Sequence, residues 1–238
     1  MNAKKVLFLS SFLISLIVLG CFLTSICTNQ MAIGQVTQLN VEAVNYGNIK
    51  FGLIWGTKQY DYGYGLRDEN TFIVYDEYSP DNFVETDRKN FIPGIITTLC
   101  FIGIATIFTA LSVIFSLLNT MTVPIQTIHG PHGLYIWNGI AAGCGLVALI
   151  VYTAIFKTSI DDNIQSPDER NFQFQDGETA KVGYSFWVLL GAVILVLANI
   201  GIIFLAQRAS DPDYFKRKPK TETNLKEDSK NVADGIIY

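Results

Sequence analysis

The chain has two histidines, His129 and His132, set in the run His-Gly-Pro-His. That spacing invites a metal reading, but a bound metal wants three or four ligands, and no Cys, Asp or Glu stands near the pair in sequence. A turn made by Gly130, Pro131 and Gly133 accounts for the segment without an ion. Acid–base, nucleophilic or proton-coupled chemistry inside a bilayer needs an ionisable side chain there, which is costly to bury and is retained for function. The long apolar stretches of this sequence contain no Asp, Glu, Lys or Arg. The pattern argues against an intramembrane enzyme, a proton-coupled carrier and a voltage sensor, and it implies no cofactor.

The remaining chemistry is that of association. Gly139 and Gly143 are four apart, with Ala142 and Gly145 nearby, so a second helix could approach the backbone closely at this point. Asn138 and Asn199 are amides able to hydrogen-bond across a helix interface. The first expectation for this Gly-x-x-x-Gly is packing within the molecule's own bundle, the second packing against another subunit or a partner protein. Asn138, Tyr152, Thr153 and Asn199 could instead line a small pore in an oligomer. At the end of the chain, Ile236 and Tyr238 place hydrophobic side chains at the third-last and last positions beside a free carboxylate, the pattern a PDZ domain captures by strand addition. Such short endings also arise by chance.

These residues must be held by membrane helices. Half of the 238 residues are hydrophobic and 16% are charged, few charges for a soluble domain of this length. A hydrocarbon core of about 30 Å takes about 20 helical residues. Four charge-free stretches supply them: Val6–Thr28, Phe91–Leu118, Gly133–Phe156 and Val182–Ala206. In the first, fourteen residues are Leu, Ile, Val or Phe, which favours insertion by on the order of 5 kcal/mol. A cleaved signal peptide is the alternative there, but the apolar run exceeds the about 7 to 15 residues of a signal core and lacks a small-residue cleavage pattern. Tyr135, Trp137, Tyr184 and Trp187 suit an interfacial aromatic belt. All four cysteines, Cys21, Cys27, Cys100 and Cys144, fall in these stretches and read as small buried hydrophobes.

Positive charge sets the expected orientation. Lys4 and Lys5 precede the first helix, and Arg208, Lys216, Arg217, Lys218 and Lys220 follow the fourth, so both ends, residues 1–5 and 207–238, belong in the cytoplasm with the 119–132 loop. The outer loops would be 29–90, with nine acidic and five basic residues, and 157–181, with six and three. Strand signals occur at Val36–Val44, at Ile49, Phe51 and Leu53, and at Thr71–Tyr78. They imply a small antiparallel sheet over the outer helix ends, while the second outer loop reads as a helical extension and a polar turn. The tail is too polar to fold alone. Its basic cluster either touches anionic lipid or only enforces orientation. A net charge of −4 and a pI near 5.2 offer no footprint for nucleic acid.

Several runs resemble a known family. Gln126-Thr-Ile-His-Gly-Pro-His-Gly-Leu-Tyr-Ile-Trp-Asn138, Tyr184-Ser-Phe-Trp187 and Ala233-Asp-Gly-Ile-Ile-Tyr238 together resemble the clarin family of four-span membrane proteins. Lys4-Lys-Val-Leu-Phe-Leu-Ser-Ser-Phe12 and the pair Trp137-Asn138 are most similar to the third of its paralogues, and Phe51-Gly-Leu-Ile-Trp-Gly56 is similar to the family's outer-loop motif. The resemblance marks Gly52, Leu53, Gly130, Pro131, Gly133, Tyr135, Ser185, Phe186 and Trp187 as family-motif positions. It implies a claudin-like tetraspan: a membrane all-α four-helix bundle under a small extracellular β-sheet, without enzymatic activity. It further implies a plasma-membrane organiser of membrane complexes, with other membrane proteins and a PDZ protein as partners, and a family-level link to sensory cells. The chain departs from the pattern in having no Asn-x-Ser/Thr sequon and no cysteine pair in the outer loops.

Overall fold

The computed structural model describes residues 3–39, 44–61, 65, 69–78, 90–121, 131–161, 164–165 and 175–210. Helix α1 (Ala3–Cys27) leads into β1 (Ala32–Leu39), β2 (Val44–Phe51), β3 (Trp55–Asp61) and β4 (Asn70–Ile73), then a single helical turn, α2 (Val74–Glu77). The long α3 (Phe91–Met121) and α4 (Pro131–Ile155) follow, and a π-helical turn, Phe156–Ile160, prolongs α4. Strand β5 (Gln175–Val182) precedes α5 (Tyr184–Ser210). The segments Lys5–Cys27, Phe91–Met121, His132–Ile160 and Tyr184–Arg208 are each long and apolar enough to cross a bilayer. This is a tetraspan, multi-pass membrane protein.

The four long helices form a ring in which α1 packs on α3 and α5, and α4 on the same two. At one end sits a five-stranded antiparallel sheet in the order β4-β3-β2-β1-β5. One apolar core runs from the bundle into the sheet, joining Val18, Phe22, Ile102, Tyr152 and Val196 to Val36, Ile49 and Phe51. A smaller cluster of Phe8, Leu134, Ile203 and Ala206 closes the opposite end.

The sheet differs in detail from the sequence expectation. Val36–Val44 is the end of β1 and the start of β2 rather than one strand, and the extended stretch at Thr71–Tyr78 stops at Ile73. There the chain turns into α2 because Val74 and Tyr78, one helical turn apart, both bury, and a helix places such a pair on one face. The Tyr78 ring meets Phe51 and Phe91 at centroid distances of 5.6 and 5.1 Å, and its hydroxyl donates to the Ile164 carbonyl at 2.8 Å. Strand β5 comes from the segment between the third and fourth long helices, expected to be a helical extension and a turn. The extension is present as the π-helical turn, but the polar segment beyond it completes the sheet. Val182 belongs to β5, so the fourth helix starts at Tyr184.

Backbone contact welds the sheet to the bundle. The amides of Met31 and Gly183 donate to the Phe51 and Met31 carbonyls, each at 2.9 Å. At Gly52 an added Cβ would lie 2.0 Å from the Thr28 carbonyl oxygen, and at Gly183 2.0 Å from that of Gln30. No side chain fits either position. The family-motif glycine Gly52 therefore has a local steric reason, and Leu53 beside it is buried.

Candidate functional site: the helix-packing surfaces of the bundle

Asn138 lies seven residues into α4, about 10 Å from the helix end opposite the sheet. Its amide donates to Ser112 Oγ on α3 at 2.7 Å and to the Leu134 carbonyl at 2.8 Å. Asn199 of α5 donates to Asn138 Oδ1 at 3.1 Å and to Ser15 Oγ of α1 at 2.9 Å. Ser15 and Ser112 are 3.3 Å apart, and Ser11 and Ser116 form a parallel rung at 3.2 Å. All six side chains are buried. One polar cluster thus ties together all four helices.

These five interhelical contacts, at about 0.6 kcal/mol each in a membrane interior, contribute on the order of 3 kcal/mol. Their larger effect is on register, since a one-residue slip of any helix strands amides in hydrocarbon. Asn199 Oδ1 is buried with no hydrogen-bond partner among the described residues. The serines escaped the sequence reading. Their signal is the repeated i,i+4 spacing, Ser11 with Ser15 and Ser112 with Ser116, which puts each pair on one helix face.

Gly139 and Gly143 behave differently from the first expectation. Both are exposed, and an added Cβ at either would meet no atom of a neighbouring element among the described residues within 4 Å. Packing of the chain's own helices does not use them. Gly145 does serve it, for a Cβ there would stand 2.7 Å from Val193 of α5 and 3.5 Å from Phe22 of α1, and so does Gly94 of α3, where a Cβ would stand 2.2 Å from Ile155 of α4. The buried face of α4 runs through Asn138, Ala142, Gly145, Leu149 and Tyr152, spaced by three or four residues as one helical stripe requires.

The other singled-out residues separate in space. Asn138, Tyr152 and Asn199 point into the chain's own core while Thr153 is exposed, so the four do not share a pore-lining face. Tyr184 and Trp187 face outward, as an aromatic belt requires. Trp137 instead stacks between Phe108 and Phe115 at 5.6 and 6.0 Å, and both its Nε1 and the Tyr135 hydroxyl are buried. Both rings serve helix packing, Trp137 on the side of α4 that meets α3 and Tyr135, two residues away and so turned by about 200°, against the cluster of Phe8, Leu134, Ile203 and Ala206. Ser185 is buried, with Oγ 2.5 Å from Thr28 Oγ1, and Phe186 packs on Tyr152 at 5.9 Å. Gly133 is buried in the first turn of α4, which opens at Pro131.

The cysteines are less buried than expected, for Cys27 and Cys100 are exposed and Cys21 and Cys144 half-buried. His132 is exposed, and no group of three or more potential metal ligands occurs among the described residues. Gly130, His129, Ile236 and Tyr238 lie outside the described residues.

Four bilayer-length helices locked by a central polar cluster under a five-stranded sheet define a claudin-like tetraspan whose polar groups serve assembly. A family model described as Clarin-2-like matches residues 1–203. The chain belongs to the clarin family. It is 28% identical to Clarin-3 of Homo sapiens over 99% of this chain and 98% of that protein. It is 27% identical to Clarin-2 of Mus musculus over 83% of each, and 25% identical to Clarin-1 of Homo sapiens over 60% of this chain and 58% of the relative.

Proposed function

We propose that this chain is a non-enzymatic scaffold or auxiliary subunit that organises a membrane protein complex, docking a partner's transmembrane helix on the outward face of α4. The observation that carries the reading is the bare backbone at Gly139 and Gly143, where no neighbouring element among the described residues comes within 4 Å of a would-be Cβ. Two glycines four apart on a lipid-facing surface let another helix approach closely enough for dispersion contacts, the main attraction available between helices in lipid. The bundle's amides are turned inward and engaged with one another, which leaves a rigid body with a shallow notch.

In this reading both termini are cytoplasmic, as the positive charges at either end require, and the sheet faces outward at the plasma membrane. Ile236 and Tyr238 engage a PDZ domain on the cytoplasmic side, so the protein reaches partners on both faces. The link to sensory cells comes from the family resemblance. Gly139→Ile and Gly143→Ile test the docking face: each keeps the bundle folded and removes partners from the set captured by proximity labelling, or lowers energy transfer between labelled copies. An unchanged partner set and unchanged energy transfer in both variants would sink the docking assignment.

A further inference from the structure

Where the sheet end overhangs α3, an apolar groove of about 140 Å³ opens beside the helix. Ile92, Ile95, Ile96 and Leu99 of α3 form one wall, and Leu53, Ile54, Ile73 and Tyr75 form the other. Apart from the Tyr75 hydroxyl, no lining side chain carries a polar group. The outer wall is far from buried, with Ile54 43%, Ile73 55% and Tyr75 57% exposed. Large apolar side chains this exposed, grouped around a concavity, mark a place where something apolar sits.

We propose that this groove holds one acyl chain of a phospholipid from the leaflet on the sheet side. Position selects the occupant. The α3 wall begins at the second residue of a helix long enough to span a membrane and runs to Leu99, about 10 Å further along its axis. From Ile96 the exposed surface continues through Cys100, Ile104, Ile107 and Ile114, an apolar outward face of the kind that a spanning helix turns to lipid. The groove is therefore the upper end of the lipid-facing surface, roofed by residues that would otherwise stand in water. A hydrocarbon chain entering it leaves one apolar medium for another and removes Ile54, Ile73 and Tyr75 from water, which is favourable. Tyr75 then sits with its ring against the chain and its hydroxyl at headgroup depth, where tyrosine is favoured. The walls carry no charge with which to select a headgroup, so recognition rests on the chain.

The test uses the full-length protein in mild-detergent micelles, titrated with a phosphatidylcholine carrying a diazirine on one acyl chain, irradiated and mapped by mass spectrometry. Labelling of Ile73, Tyr75, Ile96 and Leu99 is expected to saturate near about one probe per chain, as a defined site does. Labelling of Ile107 and Ile114 should rise in proportion to probe. Ile73→Glu, at an exposed position, is expected to abolish the saturable part while Ile73→Leu retains it, with unchanged labelling at Ile107 and Ile114 reporting that the bundle stays folded. Groove labelling that rises linearly like that of Ile107 overturns the proposal. So does a groove that excludes the probe and cross-links through residue 73 to a second copy or another protein.

Discussion

On one face of α4, Asn138 hydrogen-bonds into the neighbouring helices and Gly145 lies under Val193 and Phe22. On the other face Gly139 and Gly143 have no neighbouring element among the described residues within 4 Å of a would-be Cβ. Asn138 and Gly139 are adjacent in sequence, yet consecutive helical residues are turned by about 100° from one another, and that rotation separates the crowded side from the bare one. Gly145, seven residues on from Asn138, returns to nearly the same direction. The contrast shows that a pair of glycines four apart reports an available close approach without saying whose helix makes it.

The crowded side can be broken hardest where the approaching atom is backbone. Gly52→Ala places a methyl group on the Thr28 carbonyl, and the chain must separate sheet from bundle. A loss of about 3 kcal/mol or more is expected in unfolding titrations from micelles. Gly145→Leu meets flexible side chains instead and should cost about 1 to 3 kcal/mol by the same measurement.

The polar part of that side is weaker. Asn199→Leu removes the bonds to Ser15 and Asn138, with an expected loss of about 1 to 2 kcal/mol, and a double-mutant cycle of Asn138→Ala with Asn199→Ala should give a coupling of about 0.6 kcal/mol and no more than about 1.7. A coupling of zero would mean that the two amides do not act together. On the bare side, Gly139→Ala should leave unfolding within about 0.5 kcal/mol of the parent. If it destabilises as strongly as Gly145→Leu, the two faces are not distinct.

Much of the architecture was readable from residue types alone. Four runs without charge demand four spans because hydrocarbon admits no ionised side chain cheaply, and Ile49 and Phe51 alternate as a half-buried strand must. Strand β5 left almost no trace. Its residues include Asp176, Glu178 and Lys181, and its pairing with β1 is carried by backbone groups that every sequence possesses. Strand β3 was hidden in the same way by Lys58 and Gln59. Lys58 is nevertheless buried, paired with Glu77 and set over the Phe72 ring at 5.0 Å, a use of a surface residue type that only the folded sheet creates.

Within the candidate site, Asn138 and Asn199 stand out as amides in apolar helices and Ala142 as a small residue beside the glycines. Their partners do not, because serine is common in such helices and a hydroxyl can satisfy itself on its own backbone, as Thr109 does on the Ala105 carbonyl at 2.8 Å. Trp137 and Tyr135 suit an interfacial belt by residue type, yet in the fold both make helix contacts, since ring type says where a side chain is tolerated and not which way it points.

Residue pattern alone establishes four apolar spans with no charge in their interiors and a strand-forming segment after the first, since solvation and alternation settle these one segment at a time. It takes the assembled bundle to show that Asn138 and Asn199 meet, that Gly145 faces inward while Gly139 and Gly143 face out, and that the segment before the fourth long helix donates the fifth strand. Those outcomes depend on the rotation of each helix about its axis and on pairings between residues far apart in the chain, which no local pattern encodes.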